Sequence, residues 1–136
     1  TAARVNDRWA TGDWEPIILD DRDHFERSVA GLMRYDVLFV NPLRDGLNLV
    51  AKEGPACNRR DGLLCLSPEA GAFAELKSAA IEVHPYDIEQ NAAALDSALA
   101  TPLDERAYVA RQLRELALAR TPSDWLRDCI EHAPQQ

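Results

Sequence analysis

The sequence predicts an α/β fold in which helices cover both faces of a parallel sheet. Three observations predict it. Four short apolar runs occur: Ile17 to Leu19, Val37 to Val40, Leu63 to Leu66, and Ile81 to Val83. Each is too short for a helix, and three lack alternation, which suits strands buried on both faces. Apolar stripes at helical spacing separate these runs. Three more stripes follow the last run and close the chain. Strand alternating with helix defines a doubly wound, Rossmann-like sheet.

The elements follow in order. Val5 and Trp9 lie at helical spacing in the opening segment. A helix there needs an earlier strand to cross over from. The expectation is therefore the later part of a doubly wound domain, with its first strands outside the chain. The run Ile17 to Leu19 reads as the first strand present. Phe25, Val29, Leu32 and Met33 make a helical stripe before the strand at Val37 to Val40. Leu49 to Gly54 and Ala70 to Leu76 are short helices that alternate with the strands at Leu63 to Leu66 and Ile81 to Val83. The last of these carries Glu82 and is expected to be less covered. Ile88, Ala92, Leu95 and Leu99 begin the closing helices. Leu103, Ala107, Ala110, Leu113 and Leu116 form the second, and Trp125, Leu126, Cys129 and Ile130 the third. Thr101-Pro102 and Thr121-Pro122 each suggest a hydroxyl N-cap followed by Pro at the first helical position. Asp87 with Gln90 resembles a capping box. No repeat or internal linker divides residues 1–136, so they read as one incomplete domain.

Composition bounds the partners. A net charge of −8 opposes nucleic acid or an anionic membrane as a partner. It leaves room for a small anion held by backbone amides. Self-association is left open. The three cysteines, Cys57, Cys65 and Cys129, have no metal-ligand spacing. A reducing cytoplasm is the simplest setting for them. No apolar stretch reaches the ~18 residues of a membrane span.

The chemistry concentrates after Val40. There the chain reads Asn41-Pro42-Leu43-Arg44-Asp45-Gly46-Leu47-Asn48-Leu49-Val50-Ala51-Lys52-Glu53. Ligands of open parallel sheets bind beyond the carboxyl ends of strands. The first amides of a helix lack internal partners and, with the helix dipole, attract anions. Leu49 and Val50 would offer such amides to a diphosphate. Gly46 would allow close backbone approach. Asp45 could accept from sugar hydroxyls. Glu53, one turn after Leu49, could accept from a ribose diol. An ordinary strand-to-helix loop, with Asn48 as N-cap and Glu53 in solvent, fits the same spacing.

The run Pro42 to Glu53 resembles the signature of the trehalose-6-phosphate synthase family, retaining glycosyltransferases of the GT-B fold. Three further stretches resemble that family in order: Trp14-Glu15-Pro16, Gly62 to Ser67 with Ala70-Gly71-Ala72 and Glu75-Leu76, and Val83-His84-Pro85-Tyr86-Asp87. The likeness covers the later part of the family's second, donor-binding domain. It implies transfer of glucose from a nucleotide-glucose to glucose 6-phosphate, without a metal or other cofactor and without a protein nucleophile. It implies that Asp45, Gly46, Leu47 and Asn48 contact the donor sugar. Leu49 and Val50 would hold the diphosphate through backbone amides, and Glu53 the ribose. No catalytic residue is assigned. The acceptor site and the cations that neutralise the donor phosphates would come from an N-terminal domain and earlier strands of the same protein. Alternatives are a related transferase acting on glycerol 3-phosphate or a cyclitol phosphate, or a non-catalytic nucleotide-sugar-binding module.

Two positions depart from the family pattern. Gly54-Pro55 replaces an aromatic residue and Val, and Pro55 is expected to end or kink the helix. His84 replaces Asn before Pro-Tyr-Asp and reads as a loop histidine. Asp20-Asp21-Arg22-Asp23 has acids at metal-binding spacing but reads as a charged loop capping the next helix. Lys52 could assist phosphate binding or lie in solvent. Trp125 reads as core, and Asn58 to Asp61 as a polar loop.

Overall fold

The computed structural model describes residues 1–132. Seven helices and three strands occur among them: α1 (Ala2–Trp9), α2 (Phe25–Leu32), β1 (Val37–Val40), α3 (Leu49–Cys57), β2 (Leu63–Leu66), α4 (Phe73–Leu76), β3 (Ile81–Glu82), α5 (Ile88–Ala100), α6 (Leu103–Leu118) and α7 (Pro122–Glu131). The strands are parallel in the order β1-β2-β3. Val37 pairs with Leu63 and Val40 with Leu66, while Cys65 pairs with Ile81.

Side-chain alternation along β2 splits the core into two layers. Leu64 and Leu66 face a cluster with Val40, Ala51, Leu76 and Leu113, contributed by β1, α3, α4 and α6. Leu63 and Cys65 face the other way, against Val83 and against Ala94 and Ala98 of α5. Helices therefore cover both faces, as the alternation of elements predicts. All four residues of β2 are buried, which explains its unbroken apolar run.

Several local expectations are corrected. Ile17 to Leu19 forms no strand, and Ile18 and Leu19 are each 78 % exposed. The Asn6 side chain takes the place of a neighbouring strand there. Its Nδ2 donates to the Ile17 carbonyl at 2.8 Å, and its Oδ1 accepts from the Ile17 amide at 3.0 Å. Pro55 does not end α3, which continues to Cys57. Gly54 and Pro55 are buried, and an ideal Cβ on Gly54 would lie 2.3 Å from Leu38 Cδ2. Close packing on β1 holds this last turn, and Asn58 N–H closes it onto the Gly54 carbonyl at 2.9 Å. Thr101 ends α5 instead of capping α6, and its hydroxyl donates to the Ser97 carbonyl at 2.9 Å.

Other caps form as expected. Thr121 and Asp124 make a reciprocal capping box at α7 with Pro122 at the helix start. These bonds hold the Asp124 carboxyl below its usual range, the Thr121 hydroxyl contributing most. Asp87 Oδ1 accepts from Gln90 N–H at 2.8 Å, half of the expected box.

Candidate functional site

The loop from Asn41 to Asn48 leaves the carboxyl end of β1 and enters α3. Asn48 caps the helix in the left-handed region, at φ 51° and ψ 75°, which Asn tolerates better than most side chains. Its Oδ1 accepts from Ala51 N–H at 3.1 Å. Its Nδ2 donates to Asp45 Oδ2 at 2.8 Å. One amide side chain thus satisfies a helix donor and orients an acid. The amides of Leu49 and Val50 precede Ala51 and have no partner within the helix.

Each sequence-predicted site residue lies on this one structure. Asp45, Gly46, Leu47, Leu49, Val50 and Glu53 are exposed, and Asn48 is half-buried. An ideal Cβ on Gly46 meets no atom within 4 Å, so the space above it is open. Glu53 forms no ion pair among the described residues. In this loop the left-handed conformation belongs to Asn48 and not to Gly46, and none of the glycines has positive φ.

A second loop, between β2 and α4, holds the first in place. Asp45 N–H donates to the Glu69 carbonyl at 3.0 Å, and Gly71 N–H donates to the Asp45 carbonyl at 3.2 Å. Asp45 and Ala70 form an isolated parallel bridge. Lys52 Nζ lies 2.7 Å from Glu75 Oε2, tying α3 to α4. Lys52 is therefore paired within the chain and half-buried, not a freely solvated helix residue. The tie between the two loops joins residues some 25 positions apart through backbone atoms, and no side-chain pattern signals it.

A cleft of about 330 Å³ opens beside this loop, lined among others by Leu47, Leu49, Lys52, Glu75 and Trp125. Trp125 is half-exposed at its wall and not core. His84 lies at the same sheet edge, with Nε2 3.0 Å from Glu82 Oε1. Asp20 accepts from Arg22 Nε at 3.1 Å and pairs with Arg27 at 2.6 Å, so that acidic run braces the start of α2. The Arg22 side chain is the main cause of the depressed Asp20 carboxyl. His24 caps α2, accepting from Arg27 N–H at 3.4 Å.

A parallel sheet covered on both faces, with open helix amides and two acids beyond one strand, defines a Rossmann-like α/β domain. The chain belongs to glycosyltransferase family 20, whose sequence profile matches residues 1–135. It is 43 % identical to a trehalose-6-phosphate synthase of Sinorhizobium fredii over 132 residues, 95 % of this chain and 28 % of that protein. The crystal structure of an α,α-trehalose-phosphate synthase (UDP-forming) from Burkholderia vietnamiensis matches with a TM-score of 0.85 and 40 % identity. That match covers 96 % of this chain and 29 % of the other. A trehalose-6-phosphate synthase from E. coli bound with UDP-2-fluoro glucose matches with a TM-score of 0.85 and 35 % identity, again over 96 % and 29 %. The chain thus spans less than a third of the length of these relatives. No helix among the described residues is long and apolar enough to cross a membrane.

Proposed function

We propose that this chain is the donor-binding part of a retaining glycosyltransferase that transfers glucose from UDP-glucose to glucose 6-phosphate. The observation that carries the reading is the exposed strand-to-helix loop, with Asp45 oriented by Asn48 and the first amides of α3 left open. The bound ligand of the E. coli neighbour supports a uridine donor.

In this reading the amides of Leu49 and Val50 stabilise the diphosphate as charge develops on it during departure. Asp45 and Asn48 fix the sugar, and Glu53 takes the ribose hydroxyls. Gly46 leaves room above the loop for the hexose. The chain's contribution is positioning and electrostatics, with no nucleophile of its own. Acceptor binding and further phosphate neutralisation fall to parts of the protein outside this chain.

Titration calorimetry of the chain with UDP-glucose tests the reading, with GDP-glucose in parallel. Weak binding is expected, since the phosphate-neutralising cations lie outside this chain, and Asp45→Ala should weaken it further by about tenfold or more, the loss of a charge-assisted hydrogen bond. Absence of binding to either donor would overturn the reading. The isolated chain should form no labelled trehalose 6-phosphate from labelled donor and glucose 6-phosphate.

A further inference from the structure

We propose that Gly71 is a positioning residue for the sugar end of the donor. The proposal rests on the donor-binding reading above. An ideal Cβ on Gly71 would lie 1.5 Å from the Gly46 carbonyl oxygen, 2.7 Å from the Gly46 carbonyl carbon and 3.4 Å from Leu47 Cα. All three are backbone atoms, so no rotamer change relieves the contact. Gly71 does not have positive φ. Its lack of a side chain therefore serves close approach and not an unusual backbone turn.

The same residue donates its N–H to the Asp45 carbonyl at 3.2 Å, and the Asp45 amide in turn donates to Glu69 at 3.0 Å. The supporting loop is itself anchored. Ala70 and Ala72 are buried, and the fully buried Ser67 accepts from Glu69 N–H through Oγ at 3.1 Å. Asp45, Gly46 and Leu47 are thus seated on a fixed template, and a methyl group at position 71 must push them off it. The start of α3 is held by other means: the Asn48 cap, the buried Ala51 and the Lys52–Glu75 pair. Displacement should therefore reach the sugar contacts and spare the diphosphate and ribose contacts of Leu49, Val50 and Glu53.

This separation gives the test. The affinities of the chain for UDP-glucose and for UDP are measured by calorimetry, for the wild type and for Gly71→Ala. We expect Gly71→Ala to lower the ratio of UDP-glucose to UDP affinity by about tenfold or more, since misplacement by ~1 Å is felt at that scale. UDP affinity itself should stay within about threefold. An unchanged ratio in a wild type that binds both ligands would overturn the role of Gly71 and leave the donor reading standing. Equal loss of both affinities would also overturn it, by showing a general structural effect. A wild type that binds neither ligand would overturn the donor reading first. Should Gly71→Ala fail to fold, Ser67→Ala loosens the same template while nearly preserving volume. It should lower the ratio in the same direction, and no change would overturn the proposal.

Discussion

The two edges of the sheet are built on opposite rules. At the carboxyl edge, the two loops meet through backbone–backbone bonds, with the Asn48 cap and the Ser67 hydroxyl bracing each loop locally, and the side chains of Asp45, Leu47 and Glu53 are exposed. At the amino edge, side chains hold backbone, and few of their polar groups are idle. Asn58 is buried at 4 % exposure. Its Nδ2 donates to the Tyr35 carbonyl at 2.9 Å, and its Oδ1 accepts from the amides of Arg60 and Gly62 at 2.8 and 2.9 Å. Two arginines of α6 complete the clamp. Arg106 donates to the carbonyls of Asp36 at 3.1 Å and Asp61 at 3.4 Å. Arg114 donates to those of Pro55 and Asn58. Buried polar groups are costly unless partnered, so the satisfied edge contributes stability. The edge that leaves amides open is where a ligand gains by supplying partners.

The largest effect expected from this contrast is at Asn58. Asn58→Ala strands the Gly62 and Arg60 amides and the Tyr35 carbonyl at once. The Gly62 bond is buried and the other two are partly so, and a stranded group shielded from water costs about 1–3 kcal/mol. Denaturant unfolding should show a loss of about 3 kcal/mol or more. Below the melting transition, the ratio of UDP-glucose to UDP affinity should not move. A loss under about 1 kcal/mol, or a changed ratio, would break the division between the two edges.

An intermediate effect separates cap from ligand at Asn48. Asn48→Ala loses the cap and places a Cβ residue without a side-chain partner at φ 51°. The expected cost is about 1–2 kcal/mol of stability. Asn48→Gly tolerates the dihedral and should cost only a few tenths, roughly 0.5 kcal/mol at most. Both variants free the Asp45 carboxylate that Asn48 Nδ2 holds at 2.8 Å. Donor affinity should therefore fall in both, although only one is destabilised. If affinity instead tracks stability, Asp45 orientation is not what Asn48 contributes.

What the sequence discloses follows from how local each feature is. The runs at Val37 to Val40 and Leu63 to Leu66, and the helices α5 to α7, are written in periodicity and were all legible. So was the candidate loop, because a strand end, Asn48 and a helix start lie within a dozen residues. Ile17 to Leu19 has the composition of a strand, but a strand also needs a neighbour, and composition carries no neighbour. Pro55 breaks an isolated helix by rule, yet packing against β1 and the Arg114 contact to its carbonyl hold the turn. Asn58 sits in a polar stretch, Asn58-Arg59-Arg60-Asp61, that looks like any surface loop. Its burial depends on Tyr35, Gly62 and α6, which converge only in three dimensions. Gly71 is hidden for the same reason, since its constraint is a backbone 25 positions upstream.

The smallest effect expected lies between the two edges, at Cys65 in the middle of β2. Cys65 is fully buried against the α5 layer. Burial pushes its thiol up from 9.0 to about 11. The folded chain therefore keeps this proton where the unfolded chain has released it. The sign follows: stability is unaffected by this group below pH 9 and falls as pH rises from 9 towards 11. The slope is at most about 1.4 kcal/mol per pH unit for one proton. Denaturant unfolding of wild type and Cys65→Ala at pH 8 and pH 10 isolates the contribution, which should be a steeper alkaline loss in the wild type. Thiol labelling at pH 8 sharpens the same point. Cys129 is exposed and should react first, half-buried Cys57 more slowly, and Cys65 only as fast as the sheet opens. Labelling of Cys65 at the rate of Cys129 would mean that β2 is not the sealed centre on which both edges depend.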